Sequence, residues 1–210
     1  MNISYRYISK IYELIDVYYF KDNDANPRKQ LIKCINNANP EVLDLCIGTA
    51  TNSILLSKTI ENVKITGIDI SSEMIEIAKR KIEKQKIDNI KILKMDATEM
   101  DFPVNSFDII IISLFLHEID EITRGKILSE SLRILKGKGK ILILEWEKPK
   151  NILSKCKFLI IKLFESKGFT DFLQLNYEKY FEDFGLEIIN TYHCDYSKVV
   201  ELQKKNNCTN

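Results

Sequence analysis

The pattern that most restricts how this chain can fold lies between Val42 and Ser53. Val42, Leu43 and Leu45 are apolar on both faces of a would-be strand, as in a central parallel strand covered by helices. Pro40 stands just ahead of it, a position proline tolerates at a strand's start but not in its middle. Asp44 brings a carboxylate to the end of the strand. A turn rich in small residues follows through Cys46, Gly48, Thr49, Ala50 and Thr51, and Asn52 and Ser53 open a helix. Hydroxyls and an amide therefore gather where a helix N-terminus leaves backbone N–H groups unpaired. A small polar ligand can touch the backbone of such a turn.

The unit recurs along the chain. Residues 63–69 read as a second strand, ending in Asp69, and Ser71 or Ser72 caps a helix from Glu73 to about Lys84. Residues 90–96 form a third strand, ending in Asp96. Residues 107–113, ending in Ser113, are nearly all apolar and so belong to a central strand. A helix over about 121–135 is stopped by Lys136, Gly137, Lys138 and Gly139, and residues 140–145 form a fifth strand. This alternation predicts an α/β fold, a doubly wound Rossmann-like sheet of about seven strands with right-handed crossovers. Ligands of such sheets bind beyond the carboxyl ends of the strands, at the switch point, where these acids collect.

The flanks differ in character. Residues 1–38 read as a helical cap rich in tyrosine (Tyr5, Tyr7, Tyr12, Tyr18, Tyr19), with a second helix starting at Pro27. This cap is either an amphipathic helix laid on the core or a flap that sends one phenol into the ligand mouth. After the core of residues 40–149, residues 151–172 form a lysine-studded helical stretch with an apolar face. A helix over about 176–184 is capped by Gly185, and residues 186–193 and 198–202 form an antiparallel edge hairpin. No repeat or low-complexity linker divides the chain, so residues 1–210 are expected to be one domain.

Charge and composition limit the partners. The net charge is +1, so no global field recruits nucleic acid. The five cysteines (34, 46, 156, 194 and 208) are scattered, and His117 and His193 give no metal-ligand spacing. Reduced thiols in a cytoplasmic protein are the simplest expectation, in keeping with an N-terminus that lacks the apolar core of a signal peptide. No apolar run approaches the length of a membrane span.

A dinucleotide site needs a Gly-x-Gly-x-x-Gly turn so that a pyrophosphate can rest on the helix N-terminus. From Gly48 this chain has Gly-x-Ala-x-x-Ser, and Asp44 would repel the pyrophosphate. An acid there suits a ligand that brings an ammonium group. S-adenosyl-L-methionine does so: Asp44 and the open turn take the ammonium, Asp69 accepts from the ribose hydroxyls, and Asp96 accepts from the adenine amino group beside the Ala97 N–H.

These residues resemble the class I S-adenosylmethionine-dependent methyltransferases, and among them the branch of ubiquinone/menaquinone C-methyltransferases and related small-molecule enzymes. The likeness spans about residues 8–149. It is carried by the stretch 42–50, by 67–74, by Met95 to Ala97, by Phe102 and Pro103, by 106–108, by 133–139 and by 144–149. The resemblance places Thr49, Asp69, Asp96, Ala97 and Ser113 on cofactor-contacting positions, with Asp44, Cys46, Gly48 and Ile70 in the same signature and Met74 against the adenosine. Two departures stand out. Cys46 and Ala50 replace the outer glycines of the usual Gly-x-Gly-x-Gly turn, so the backbone either avoids positive φ there or is strained. His117 and Glu118 also stand where the quinone branch has Arg-Asn.

The resemblance implies transfer of a methyl group to a small, apolar or quinone-like acceptor by in-line displacement, leaving S-adenosyl-L-homocysteine. His117, just past the fourth strand, is the candidate general base where the acceptor must lose a proton. Tyr12 is the candidate phenol at the methyl channel, and Trp146 a candidate wall of the acceptor pocket. The fourth strand is not followed by Asn/Asp-Pro-Pro-Tyr, and no Pro-Cys pair is present, which argues against base, glutamine or RNA C5 methylation. The helical stretch after residue 150 suits a lid or a transient contact with a membrane surface. The competing readings are a cofactor-binding domain that is non-catalytic or works through a partner, an RNA methyltransferase, and a nicotinamide oxidoreductase, the last opposed by Asp44 and the missing glycines. Oligomeric state is left unassigned.

Overall fold

The computed structural model describes residues 26–149, 154–155, 158–159, 161 and 168–205. Residues 1–25 of the expected 1–38 cap, with Tyr12 and the other tyrosines, and most of the lysine-studded stretch after residue 150 lie outside the described residues, whereas the cap's second helix, expected from Pro27, is present. Within them the elements run α1 (Pro27–Cys34), β1 (Glu41–Leu45), α2 (Thr51–Thr59), β2 (Lys64–Asp69), α3 (Ser72–Lys84), β3 (Ile90–Lys94) and β4 (Phe107–Ser113). A 3-10 turn at Leu116–Glu118 leads to α4 (Glu121–Ile134), β5 (Leu135–Trp146), α5 (Phe169–Phe172), α6 (Tyr177–Glu182), β6 (Leu186–His193) and β7 (Ser197–Lys204).

Among the described residues seven strands form one sheet in the order β3-β2-β1-β4-β5-β7-β6. β1 to β5 are parallel, and β7 and β6 close the edge as an antiparallel pair. Order reverses between β1 and β4, which places a ligand-binding crevice beyond Leu45 and Ser113. This is the doubly wound Rossmann-like sheet expected from the alternation.

Strand alternation divides the core into two faces. Leu43, Leu45, Ile110, Ile112, Ile141 and Ile143 pack with Ile127 and Leu128 of α4 and with Phe172, Tyr177 and Phe181. On the other face Val42, Ile65, Ile109, Ile111, Leu142 and Leu144 pack with Leu31 and Cys34 of α1, Leu56 of α2 and Trp146. Helix starts follow local chemistry: the side chains of Asn26, Ser71, Asp120 and Asn176 accept from N–H groups in the first turns of α1, α3, α4 and α6.

One boundary differs from expectation. Leu135, read as the end of a helix, and residues 136–139, read as its stop, already belong to β5. Phe107 pairs with Leu135 but Ile109 pairs with Lys140, so β5 enters through an irregularity that absorbs the extra residues. Gly139 fits there because a Cβ would lie 2.8 Å from the Asp108 carbonyl oxygen.

Candidate functional site: a carboxylate-lined cavity at the switch point

A cavity of about 760 Å³ opens at the carboxyl ends of β1, β2, β3 and β4. Its walls include Asp44, Cys46, Gly48, Thr49, Asp69, Ile70, Met74, Asp96, Ala97 and Ser113. The structure therefore brings together every cofactor-site residue expected from the sequence.

Asp44 sits at the floor, 2% exposed, and accepts from Ser53 Oγ at 2.6 Å. Burial pushes its carboxyl up to about 7; the Ser53 hydroxyl and the Arg28 charge pull it down, and Asp69 pushes it further up. The α2 helix thus presents its own Ser53 hydroxyl to the strand-end acid, which no cap signal in the sequence indicated.

The turn between Asp44 and α2 resolves the two alternatives left open by its missing glycines. Cys46, Gly48 and Ala50 have φ of 53°, 54° and 60°, so all three occupy the left-handed region. For the two non-glycine residues this costs roughly 1–2 kcal/mol each. Neighbouring contacts hold the shape. Ile47 N–H donates to the Ile68 carbonyl at 2.9 Å, and Gly48 N–H donates to Asp69 Oδ2 at 3.0 Å. Gly67 leaves room for Ile47, whose Cδ1 would lie 2.1 Å from any Cβ at that position.

Asp69, 8% exposed, accepts from Ser71 N–H at 2.8 Å with its other oxygen. Ile70 beside it is 64% exposed and forms an apolar lip of the cavity. Asp96 accepts from the Thr98 N–H and hydroxyl at 2.8 and 2.7 Å, and these bonds hold its carboxyl below the usual range. The segment that follows is anchored on α4. Arg133 donates to the Phe102 and Met100 carbonyls at 2.7 and 2.6 Å, and Glu130 accepts from Met100 N–H at 2.9 Å.

Ser113 Oγ is buried with no hydrogen-bond partner among the described residues. A buried hydroxyl of that kind calls for a partner, and the cavity it lines is where one can stand. Several lining residues carried no signal in the sequence, among them Arg28, Leu114, Phe115 and Lys126. Arg28 reaches the site from α1 and donates through Nε to Asn52 Oδ1 at 2.7 Å. Only its place in the fold could have revealed it.

His117 is placed behind the cavity wall, 2% exposed, and is not among the residues that line it. Its Nδ1 donates to Glu145 Oε2 at 2.6 Å, and its ring packs edge-on against Phe169 with centroids 5.3 Å apart. Trp146 is also buried, packed against Phe158. Tyr12 lies outside the described residues. Among those described, no group of three or more His, Cys, Asp or Glu could hold a metal ion, and no helix is long and apolar enough to cross a membrane.

The donor set fits S-adenosylmethionine: buried acids for a cationic ligand, an apolar lip, and an orphaned hydroxyl within the wall. Comparison with known proteins agrees. Residues 42–139, from β1 into β5, match the methyltransferase domain family. The demethylmenaquinone methyltransferase of Thermotoga maritima is 33% identical over 143 residues, which cover 68% of this chain and 59% of that protein. The chain thus spans less than two thirds of that relative's length. A SAM-dependent methyltransferase of Aquifex aeolicus superposes with a TM-score of 0.73 at 22% identity, covering 96% of this chain and 98% of that one. The [4+2]-cyclase SpnF shares the architecture, with a TM-score of 0.68, 14% identity and coverage of 94% and 95%. The fold is that of the class I S-adenosylmethionine-dependent methyltransferases, and the resemblance read from the motifs holds.

Proposed function

We propose that this chain binds S-adenosylmethionine in the switch-point cavity and transfers its methyl group to a small-molecule acceptor. The observation that carries this reading is the convergence of Asp44, Asp69 and Asp96, one from each of three successive strand ends, on a single cavity. Asp44 holds the α-ammonium and Arg28 the α-carboxylate. Asp69 accepts from the ribose hydroxyls, Ile70 and Met74 flank the adenine, and Asp96 with the Ala97 N–H reads its edge. When bound, the cofactor supplies an electrophilic methyl group on a sulfonium.

The chain's own contribution is alignment. A fixed near-attack geometry removes roughly 7–11 kcal/mol of barrier where it replaces a bimolecular encounter. The acceptor is small and apolar or quinone-like, a reading supported by the likeness to an enzyme named for demethylmenaquinone and by a net charge of only +1. Where the acceptor must lose a proton, Tyr12 remains the proposed phenol at the channel, whereas His117, buried behind the wall against Glu145, supports that wall and is not the proposed base. The stretch after residue 150 serves as a lid or a transient membrane contact. The test is product formation: S-adenosyl-L-homocysteine released with a panel of naphthoquinols, catechols and amines, without added nucleic acid.

A second reading is supported by SpnF, in which the same architecture belongs to a cyclase. On that reading the chain binds the cofactor without transferring its methyl group, and the panel yields no S-adenosyl-L-homocysteine despite saturable cofactor binding.

A further inference from the structure

The wall of the cavity beyond β4 contains a conformation that its own residues do not favour. Leu114 has φ of 51°. A bulky side chain in the left-handed region is an outlier, and such strain persists only where the surroundings over-determine it. Three hydrogen bonds to one side chain surround it. Glu145, one residue past the last parallel pair of β5 with β4, is 0% exposed and accepts from Phe115 N–H at 3.1 Å and Leu116 N–H at 2.8 Å through Oε1. Its Oε2 accepts from His117 Nδ1 at 2.6 Å. Leu114 N–H itself donates to the Leu144 carbonyl at 2.8 Å.

From this arrangement we infer that Glu145, braced by His117, is a positioning residue that holds Leu114 in its left-handed conformation and so shapes the cofactor-side wall. The connection is direct along the chain: Ser113, Leu114 and Phe115 all line the cavity, and the residues on the far side of the strain are those Glu145 grips. A carboxylate suits this task because both oxygens are spent on N–H donors of consecutive residues, and charge-assisted bonds are stronger than neutral ones. Without the clamp, Leu114 returns to negative φ. That rotates the peptide leading into Phe115, and the wall that Ser113 Oγ and Phe115 present to the ligand changes shape. His117 is then a brace for the carboxylate rather than a group that meets the acceptor. This inference rests on S-adenosylmethionine as the ligand of the cavity.

The experiment is a double-mutant cycle between Glu145 and Leu114, read by calorimetric titration with S-adenosylmethionine and by hydrogen exchange of the ligand-free protein. Glu145→Leu is expected to lose protection at the Phe115 and Leu116 amides and to weaken cofactor affinity by about tenfold or more. Glu145→Gln keeps one oxygen for the two amides and is expected to fall between that variant and wild type. Glycine enters the left-handed region without the side-chain cost, so in a Leu114→Gly background each Glu145 substitution is expected to weaken affinity by a smaller factor than in wild type. A Glu145 that merely supports the fold gives the same factor in both backgrounds, and that result overturns the inference. So does a folded Glu145→Leu with unaltered affinity. If Glu145→Leu does not fold, Glu145→Gln carries the same cycle. If wild type binds no S-adenosylmethionine, the functional reading fails, whereas unprotected Phe115 and Leu116 amides in the wild type count against the clamp itself.

Discussion

Asp69, at the end of β2, accepts the backbone N–H of Gly48, in the turn after β1, at 3.0 Å. One carboxylate therefore fixes the ligand-facing turn and stands in the position proposed to meet the ribose. The two tasks predict a compound defect. Asp69→Asn keeps one acceptor for Gly48, while Asp69→Ala removes both the tie and the ribose contact. Each charged hydrogen bond is worth roughly 1.5–3 kcal/mol. Calorimetry is expected to show Asp69→Ala binding S-adenosylmethionine at least about tenfold more weakly than Asp69→Asn.

Cofactor binding should depend on pH through Asp44. Its carboxyl, at about 7 in the ligand-free cavity, must be ionised to meet an ammonium. Affinity is expected to fall by about tenfold per pH unit below that value, and again above about 8 as the ligand's amino group loses its proton. Ser53→Ala, which removes a bond that favours the charged form, should move the acid limb upward, and Asp44→Asn should abolish it. Ligand-free stability follows the opposite sign. The folded value lies above the unfolded one, so the contribution of Asp44 is full below about 4 and is lost as pH rises through about 7. Denaturant titrations of wild type and Asp44→Asn over that window measure it.

The left-handed turn gives an unusual tolerance for glycine. Ala50 has φ of 60°, whereas Ala78 is buried within α3. Ala50→Gly relieves strain while adding flexibility to the unfolded chain, so its stability should stay within about 1 kcal/mol of wild type. Ala78→Gly has no strain to relieve and should lose about 1 kcal/mol or more. Equal losses at the two sites would contradict a strained turn.

Arg28 ought to act on both ends of the methionine moiety. Arg28→Met removes the proposed partner of the carboxylate and also the charge that lowers the Asp44 carboxyl. The expected result is an affinity loss of about tenfold at pH 8 that widens toward pH 6. A loss independent of pH would detach Arg28 from Asp44.

Much of this site was legible before any coordinates. Apolar runs closing on Asp44, Asp69 and Asp96 mark parallel strands whose carboxyl ends share one rim, because a doubly wound sheet leaves them no other arrangement. The capping of α3 by Ser71 and of α6 by Asn176 follows from local chemistry in the same way. Backbone and tertiary effects were not legible. The sign of φ at Cys46, Ala50 and Leu114 is imposed by surrounding contacts against the preference of each side chain. Arg28 enters the cavity from a helix with no motif of its own. His117 reads from sequence as a residue at the mouth because its place after β4 is right, yet Glu145, which draws it inward, is 28 residues away. Lys136 to Gly139 read as a helix stop because propensity sees glycine and lysine, whereas the sheet pairs them through an irregularity.

The measurement that bears most directly on the central claim is calorimetric titration of the wild-type protein with S-adenosylmethionine and, separately, with NAD. Saturable binding of S-adenosylmethionine, no binding of NAD, and loss of the signal in Asp69→Ala are the predicted results. Binding of NAD, or S-adenosylmethionine binding that survives Asp69→Ala undiminished, would contradict the assignment of this cavity.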